Sequence, residues 1–232
     1  MTVLAISGSP SRQSRSNGLL GQATLLLNRR GLKTEYARLR DIPAEDLIEA
    51  RFQSPAAKIL RAKFEFAQAV IVATPIYKAS FSGGLKTLLD LLPQDALAGK
   101  IVLPIATGGS AAHLLALEYG LKPVLSALGA RTILGGLYAS DAQVTIAADG
   151  SLEISAEIAT RLEEAIDDLA LALAMRQSPV ALAALAPAVI SAELDDGEVV
   201  EDGEDGEGVR GRVRSAPVSP LVIGHVDAAL DR

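Results

Sequence analysis

Three polar loops in this chain carry residue types suited to a phosphorylated, flat ligand. The first is Gly8-Ser-Pro-Ser-Arg-Gln-Ser-Arg-Ser-Asn17, whose hydroxyls, backbone N–H groups and two arginines gather where an amphipathic stretch begins. A helix start presents unpaired N–H groups and a partial positive charge, which together favour an anion such as phosphate. Arg15 is placed to add charge-assisted hydrogen bonds. The glycines of a Walker loop or a GxGxxG fingerprint are missing, and a plain polar loop capped at Ser16 or Asn17 would use the same residues. The second loop is Thr74-Pro-Ile-Tyr-Lys-Ala-Ser80. Pro75 is expected to end a strand there, having no N–H for a ladder. The backbone after it then offers N–H and C=O groups to a planar ring, and Tyr77 offers a face for stacking. The alternative is a strand–helix junction with Tyr77 in a partly buried core. The third is Thr107-Gly-Gly-Ser110. Its glycines permit close backbone approach to a ligand, or else serve a tight turn at positive φ, and Ser110 is a candidate cap for the next helix.

Side-chain catalysis has little to work with. There is no cysteine, so thiol catalysis, thiolate metal sites and disulfides are excluded. His113 and His225 have no evident carboxylate partner in sequence and no metal-ligand spacing, which points His113 toward a structural or supporting role.

The loops need a scaffold that brings them together. Val3 to Ile6, Val70 to Ala73 and Ile101 to Ala106 are apolar runs too short for helices, as in strands buried on both faces of a parallel sheet. Leu32 to Leu39 and Thr132 to Ala139 complete five strands. Helical spacing predicts amphipathic segments from Leu19 to Leu27, over 55–67 with Ile59, Leu60, Phe64 and Ala67 on one face, up to Leu92 with Pro93 closing it, over 111–128, and over about 155–174. Asp149-Gly150 marks the turn of a small hairpin between Val144–Ile146 and Leu152–Ile154. Strands alternating with helices predict a doubly wound α/β fold with right-handed crossovers and strand order 2-1-3-4-5. Such folds bind ligands at the carboxyl ends of their strands. The loops after strands one, three and four then share one edge.

Composition bounds the rest. The chain has 232 residues, 49% of them hydrophobic but only 3% aromatic, so the core must be aliphatic. Residues 1–175 hold 17 basic and 17 acidic groups, a balance with no bias toward nucleic acid. Residues 176–232 hold 5 and 11, which accounts for the net charge of −6. Residues 178–190 are rich in Ala and Pro, and 193–207 hold nine acidic groups and no basic one. The segment 175–232 is therefore expected to be a disordered tail after a domain over 1–174, with Val218 to Ile223 as a possible docked strand. No apolar stretch reaches the ~20 residues of a membrane span, and the N-terminus lacks the basic flank of a signal peptide. A cytoplasmic protein is the expectation.

Taken together, Gly8-Ser-Pro with Ser14-Arg-Ser16, Thr74 through Gly83, and Ala106 through Ser110 with His113 resemble the NAD(P)H-dependent FMN reductases of the flavodoxin-like fold. Leu117 through Leu128 and Asp141-Ala-Gln-Val144 resemble, more narrowly, the reductase component of two-component alkanesulfonate monooxygenases. The resemblance covers about residues 1–174. It implies that Ser9, Arg15, Ser16 and Asn17 hold the FMN phosphate. Pro75, Ile76, Tyr77 and Lys78 would line the isoalloxazine, with Thr107, Gly108, Gly109 and Ser110 on its other side. It also implies hydride transfer from NADPH or NADH without a catalytic side chain, release of FMNH2 to a flavin-dependent monooxygenase, and a dimer or tetramer. Tyr119 matches the extra residue that forms a π-turn at the tetramer interface of the sulfonate-linked members. An FMN-retaining quinone, azo or metal-ion reductase and a non-enzymatic flavodoxin-like electron carrier are the alternatives.

Overall fold

The all-apolar runs become the middle of a parallel sheet. β1 (Thr2–Ser7) lies between β2 (Lys33–Arg38) and β3 (Ala69–Tyr77). The two-residue β4 (Ser80–Phe81) folds back antiparallel on the end of β3. On its other side β3 pairs with β5 (Ile101–Gly108), which carries β6 (Thr132–Ile133) and then β7 (Leu137–Ser140) along one edge. With β4 set aside, the order β2-β1-β3-β5-β6 is the expected 2-1-3-4-5. A separate antiparallel hairpin joins β8 (Val144–Ile146) to β9 (Leu152–Ile154). This computed structural model describes residues 1–147 and 150–177. The expected tail beyond Gln177, with Val218–Ile223 and His225, and the turn residue Asp149 lie outside the described residues.

Both faces of the sheet are covered, which is why its central strands show no polar alternation. Leu4, Ile6, Val70, Val72 and Val102 face one core, closed by Leu60 and Phe64 of α3 (Pro55–Phe66), by Leu85, Leu88 and Leu89 of α4 (Gly83–Asp90), and by Leu125 of α6 (Lys122–Ala127). Val3, Ala5, Ile71, Leu103 and Ile105 face the other, closed by α1 (Arg15–Arg29) and α7 (Ala156–Gln177). One expected core position is wrong. Ile59 is 61% exposed, and α3 buries Ala57, Leu60 and Phe64 instead. At about 100° per residue, Ile59 and Leu60 cannot both face the sheet squarely.

Two prolines sit inside central strands, so the expectation that Pro75 ends its strand is corrected. Pro75 is paired with Thr107 within β3, and Pro104 with Val72 within β5. Ala73 accepts a hydrogen bond from Gly8 N–H at 2.8 Å, so Ala73 and, two residues on, Pro75 turn their backbone groups toward β1. β1 has already ended at Ser7, and no ladder partner is missed. Val102 accepts from Leu134 N–H at 2.8 Å, which directs Pro104 toward the last edge. There the expected strand 132–139 is interrupted. One more residue separates Ile133 from Leu137 than separates their partners Val102 and Ile105, a bulge opposite the proline. Gly136, at φ +86, lies so close that an added Cβ would meet Pro104 at 2.9 Å.

Serines start the helices. Ser14, Ser54 and Ser82 precede α1, α3 and α4, and each side chain accepts from a backbone N–H three residues on. The cap of α1 is thus Ser14, not Ser16 or Asn17. Ser82 does more than cap: buried to 1%, it accepts from Leu85 N–H at 3.0 Å and donates to Gly8 C=O at 2.5 Å, while its own N–H donates to Thr74 Oγ1 at 3.1 Å. One buried hydroxyl ties the first loop to the second. Ser82→Ala removes a cap and leaves Gly8 C=O without that donor, so a loss of about 1–2 kcal/mol is expected in chemical denaturation. An unchanged midpoint would show that water replaces the hydroxyl.

Candidate functional site

At the carboxyl edge of the sheet the three loops enclose an open cleft of about 560 Å3. The first loop contributes Ser11, Gln13, Ser14 and Arg15, the end of β3 contributes Pro75 to Tyr77, and the end of β5 contributes Thr107 to Gly109. Asp141 and Ile146, from the segment after β7, complete the wall. Seven of the expected residues therefore line one cleft: Arg15, Pro75, Ile76, Tyr77, Thr107, Gly108 and Gly109. The remaining five are placed differently. Ser9 and Ser16 are buried within the first loop, Ser9 accepting from Ser11 N–H at 3.3 Å and Ser16 sharing a 2.9 Å hydrogen bond with Ser14. Asn17 accepts from the Ser7 hydroxyl and donates to Ser11 C=O, bracing the loop from a neighbouring hollow. Lys78 is exposed at the hairpin turn. Ser110 does not cap the 3-10 turn after it; its carbonyl accepts from Tyr138 Oη at 2.5 Å.

The cleft is electrically paired. Arg15 Nη2 lies 2.9 Å from Asp141 Oδ1, with both side chains well over one-third exposed. That oxygen is itself covered and makes no hydrogen bond of good geometry, so the contact is chiefly coulombic. In the sequence Asp141 stands only within the Asp141-Ala-Gln-Val144 motif, with no role attached to it. Its pairing with Arg15 spans 126 residues of chain and leaves no local signal. Behind the third loop, burial and then the charge of Asp141 push the Tyr138 phenol above its ordinary value, with the Ser110 carbonyl opposing. Tyr138 thus stays a donor to that carbonyl.

Gly108 and Gly109 are not at positive φ, so the tight-turn reading does not apply to them. Gly108 is needed for space: a Cβ there would lie 2.8 Å from Tyr138 Oη, 3.1 Å from His113 Nδ1 and 3.2 Å from Ile76 Cβ. His113 Nδ1 is covered and has no hydrogen-bond partner among the described residues. Positive φ occurs instead at Lys78 and Ala79, at 50° and 63°, which form the tight turn between β3 and β4. Such turns favour Asn or Gly, so two ordinary residues here carry strain beside the cleft. Tyr77, the last residue of β3, is 50% exposed, which removes the alternative of a partly buried core residue.

The stretch 111–128 is not one helix. A 3-10 turn at Ala111–His113 leads to α5 (Leu114–Ala116), then a π segment at Leu117–Leu121, then α6. Lys122 N–H bonds to Leu117 C=O, five residues back. Pro123 supplies a reason. It has no N–H for the carbonyl four residues before it, and its ring crowds that carbonyl, so the preceding turn opens. Tyr119 projects from the segment at 80% exposure. On the other side, a Cβ on Gly120 would lie 3.6 Å from Ser80 Oγ and 3.7 Å from Phe81 Cδ1, so the π segment packs on β4.

A pocket of this size and mixed polarity falls in the range used for small-molecule cofactors. A helix start with Arg15, an aromatic face at Tyr77 and a close-approach backbone at Gly108 suit a phosphorylated ring system. His113 Nδ1 is a covered polar atom without a hydrogen-bond partner among the described residues, and Asp141 Oδ1 is a covered one held only by its ion pair with Arg15. Among the described residues no cluster of metal-ligating side chains occurs, and no helix is long and apolar enough to cross a membrane. Residues 1–145 match the family model described as NADPH-dependent FMN reductase. The chain is 50% identical to an FMN reductase (NADPH) of Pseudomonas putida, over 83% of this chain and 98% of that protein. It is 48% identical to the FMN reductase (NADPH) of Escherichia coli, over 78% and 94%. Among solved structures, the apo form of the NADH:FMN oxidoreductase EmoB aligns at a TM-score of 0.68 and 38% identity, over 78% of this chain and 92% of that one. The chain therefore belongs to the NADPH-dependent FMN reductase family, oxidoreductases whose cofactors are FMN and a reduced nicotinamide dinucleotide.

Proposed function

We propose that residues 1–174 reduce FMN with NADPH or NADH and release FMNH2 to a flavin-dependent monooxygenase, in alkanesulfonate desulfonation for sulfur acquisition. The observation that carries this reading is the meeting of three strand-end loops in one open cleft beside a π segment. FMN held there would supply the redox chemistry, accepting a hydride from the nicotinamide. The chain supplies position. The start of α1 and Arg15 hold the phosphate, with Ser9, Ser16 and Asn17 keeping that loop in shape. Residues 75–77 and 107–109 would set the two sides of the ring, and holding two flat reactants in register is the main catalytic contribution asked of them. Backbone N–H groups of these loops would stabilise the negative charge of a reduced flavin.

An open cleft suits a flavin that comes and goes. The exposed Tyr119, with Leu115 at 58% and Leu114 at 44%, suits a contact between subunits or with the oxygenase, and a homo-oligomer is part of the proposal. The test is steady-state NADPH and NADH oxidation by the full chain, with saturation in free FMN and light or product formation by a coupled flavin-dependent oxygenase. Flavin retained through purification, with turnover only on quinones, would overturn the reading. So would absence of flavin bleaching when the FMN-loaded protein meets NADPH.

A further inference from the structure

A second hollow of about 490 Å3 adjoins the cleft and shares Ser11 with it. Three arginines line it: Arg12 in the first loop, Arg38 at the end of β2, and Arg40 in the 3-10 turn Leu39–Asp41. None of the three has a carboxylate within ion-pair distance among the described residues, whereas Arg15, Arg30, Arg51 and Arg161 each do. Two of them are held by neutral groups instead. The Arg38 guanidinium lies 5.1 Å over the Tyr36 ring, and Arg40 Nη1 donates to Pro10 C=O at 3.3 Å. The one acid in the lining is Asp41, whose Oδ2 accepts from Arg38 N–H at 3.0 Å. The hollow thus carries an excess of two positive charges in a domain that is balanced as a whole. A solvated cationic face would leave long side chains free. Here stacking and a backbone tether have already restricted two forks, which lowers the ordering cost of binding an anion.

We infer that this hollow takes a phosphate monoester, the 2′-phosphate on the adenosine ribose of NADPH, and that Arg12, Arg38 and Arg40 set the preference for NADPH over NADH. The inference rests on the proposed reductase function. FMN's own phosphate is assigned to the Arg15 side of the first loop, so a second basic hollow across that loop is left for the second phosphorylated reactant. A dinucleotide with its nicotinamide in the cleft reaches the hollow by crossing the loop at Ser11.

The test uses the full chain and the variants Arg12→Gln, Arg38→Gln and Arg40→Gln, with exposed Arg29→Gln as the control. Binding of 2′,5′-ADP and of 5′-AMP is measured by calorimetry, alongside KM for NADPH and NADH and Kd for FMN. In each hollow variant the 2′,5′-ADP affinity is expected to fall about tenfold or more and the KM for NADPH to rise to match. Values for 5′-AMP, NADH and FMN should hold, as should everything in Arg29→Gln. Equal losses for NADPH and NADH, or wild-type protein that binds 2′,5′-ADP no better than 5′-AMP, would overturn the assignment. A selective loss of FMN affinity would also overturn it, by giving the hollow to the flavin phosphate. Because 2′,5′-ADP binding needs no turnover, arginine-dependent binding by a protein that fails to reduce FMN would sustain the hollow and reject the reductase reading alone.

Discussion

Arg15→Ala is expected to weaken FMN binding by about 1.5–3 kcal/mol, roughly ten- to 150-fold in Kd, while leaving riboflavin binding unchanged. Arg15 is the first residue of α1, so its guanidinium adds to the partial charge of a helix start whose own donors remain in the variant. That sets the upper limit: the loop should still bind phosphate weakly. Asp141, 2.9 Å away, competes with phosphate for the same cation. Asp141→Asn should therefore act in the opposite sense and tighten FMN. The double variant should behave like Arg15→Ala alone, because without the cation the acid has nothing to withhold. Stability should move little in any of these variants, since both side chains are well exposed and such pairs contribute ~0–1 kcal/mol. Titration by flavin fluorescence checks the set. Equal losses for FMN and riboflavin after Arg15→Ala would assign Arg15 to the ring and not to the phosphate.

Under the proposed flavin-supplying function, deletion of Tyr119 is expected to make the protein retain flavin and stop transfer to a monooxygenase. The bond from Lys122 N–H to Leu117 C=O spans five residues, and removing one residue between them leaves the four-residue span of an α-helix. The fold should survive, because the helix loses a bulge and not a turn. What changes is the face at Gly120, which rotates away from Ser80 and Phe81. Those two residues form β4, the return strand of the strained turn at Lys78 and Ala79 that sets Tyr77 at the cleft. The packing change thus reaches the flavin wall in two contacts. Flavin absorbance after purification, oligomeric mass in solution and transfer to the oxygenase are the three readouts. A deletion variant that purifies colourless and supports transfer at the original rate would refute the role of the π segment.

Much of this was legible in the sequence because the local signals agreed. Unbroken apolar runs too short for helices pointed to strands covered on both faces, and three ligand-type loops followed strands one, three and four. The misreadings of Pro75 and Ser110 share a cause: each needed a neighbour that sequence spacing does not reveal. Pro75 looked like a strand end because a missing N–H is costly only where a partner strand waits, and β1 stops short. Ser110 looked like a cap, yet it offers a carbonyl to Tyr138 from a different strand. Asp141 acquires meaning only when the β7 edge brings it against Arg15. The π segment did leave a trace, Pro123 inside a helical pattern, but that proline reads equally well as a kink until the i to i+5 bond is seen.

The proline in β3 has one more consequence. A parallel pair of strands can lengthen by zipping, each new rung making the next easier, and a β1 that gained two rungs would draw its loop down over the end of β3. Pro75 withholds the donor for that step, and Ala73, bonded to Gly8 N–H, carries the last contact on that side. The imino acid therefore works as a register stop. It keeps the carboxyl edge from sealing itself, and a sheet that cannot close over its own mouth keeps its cleft open to a ligand.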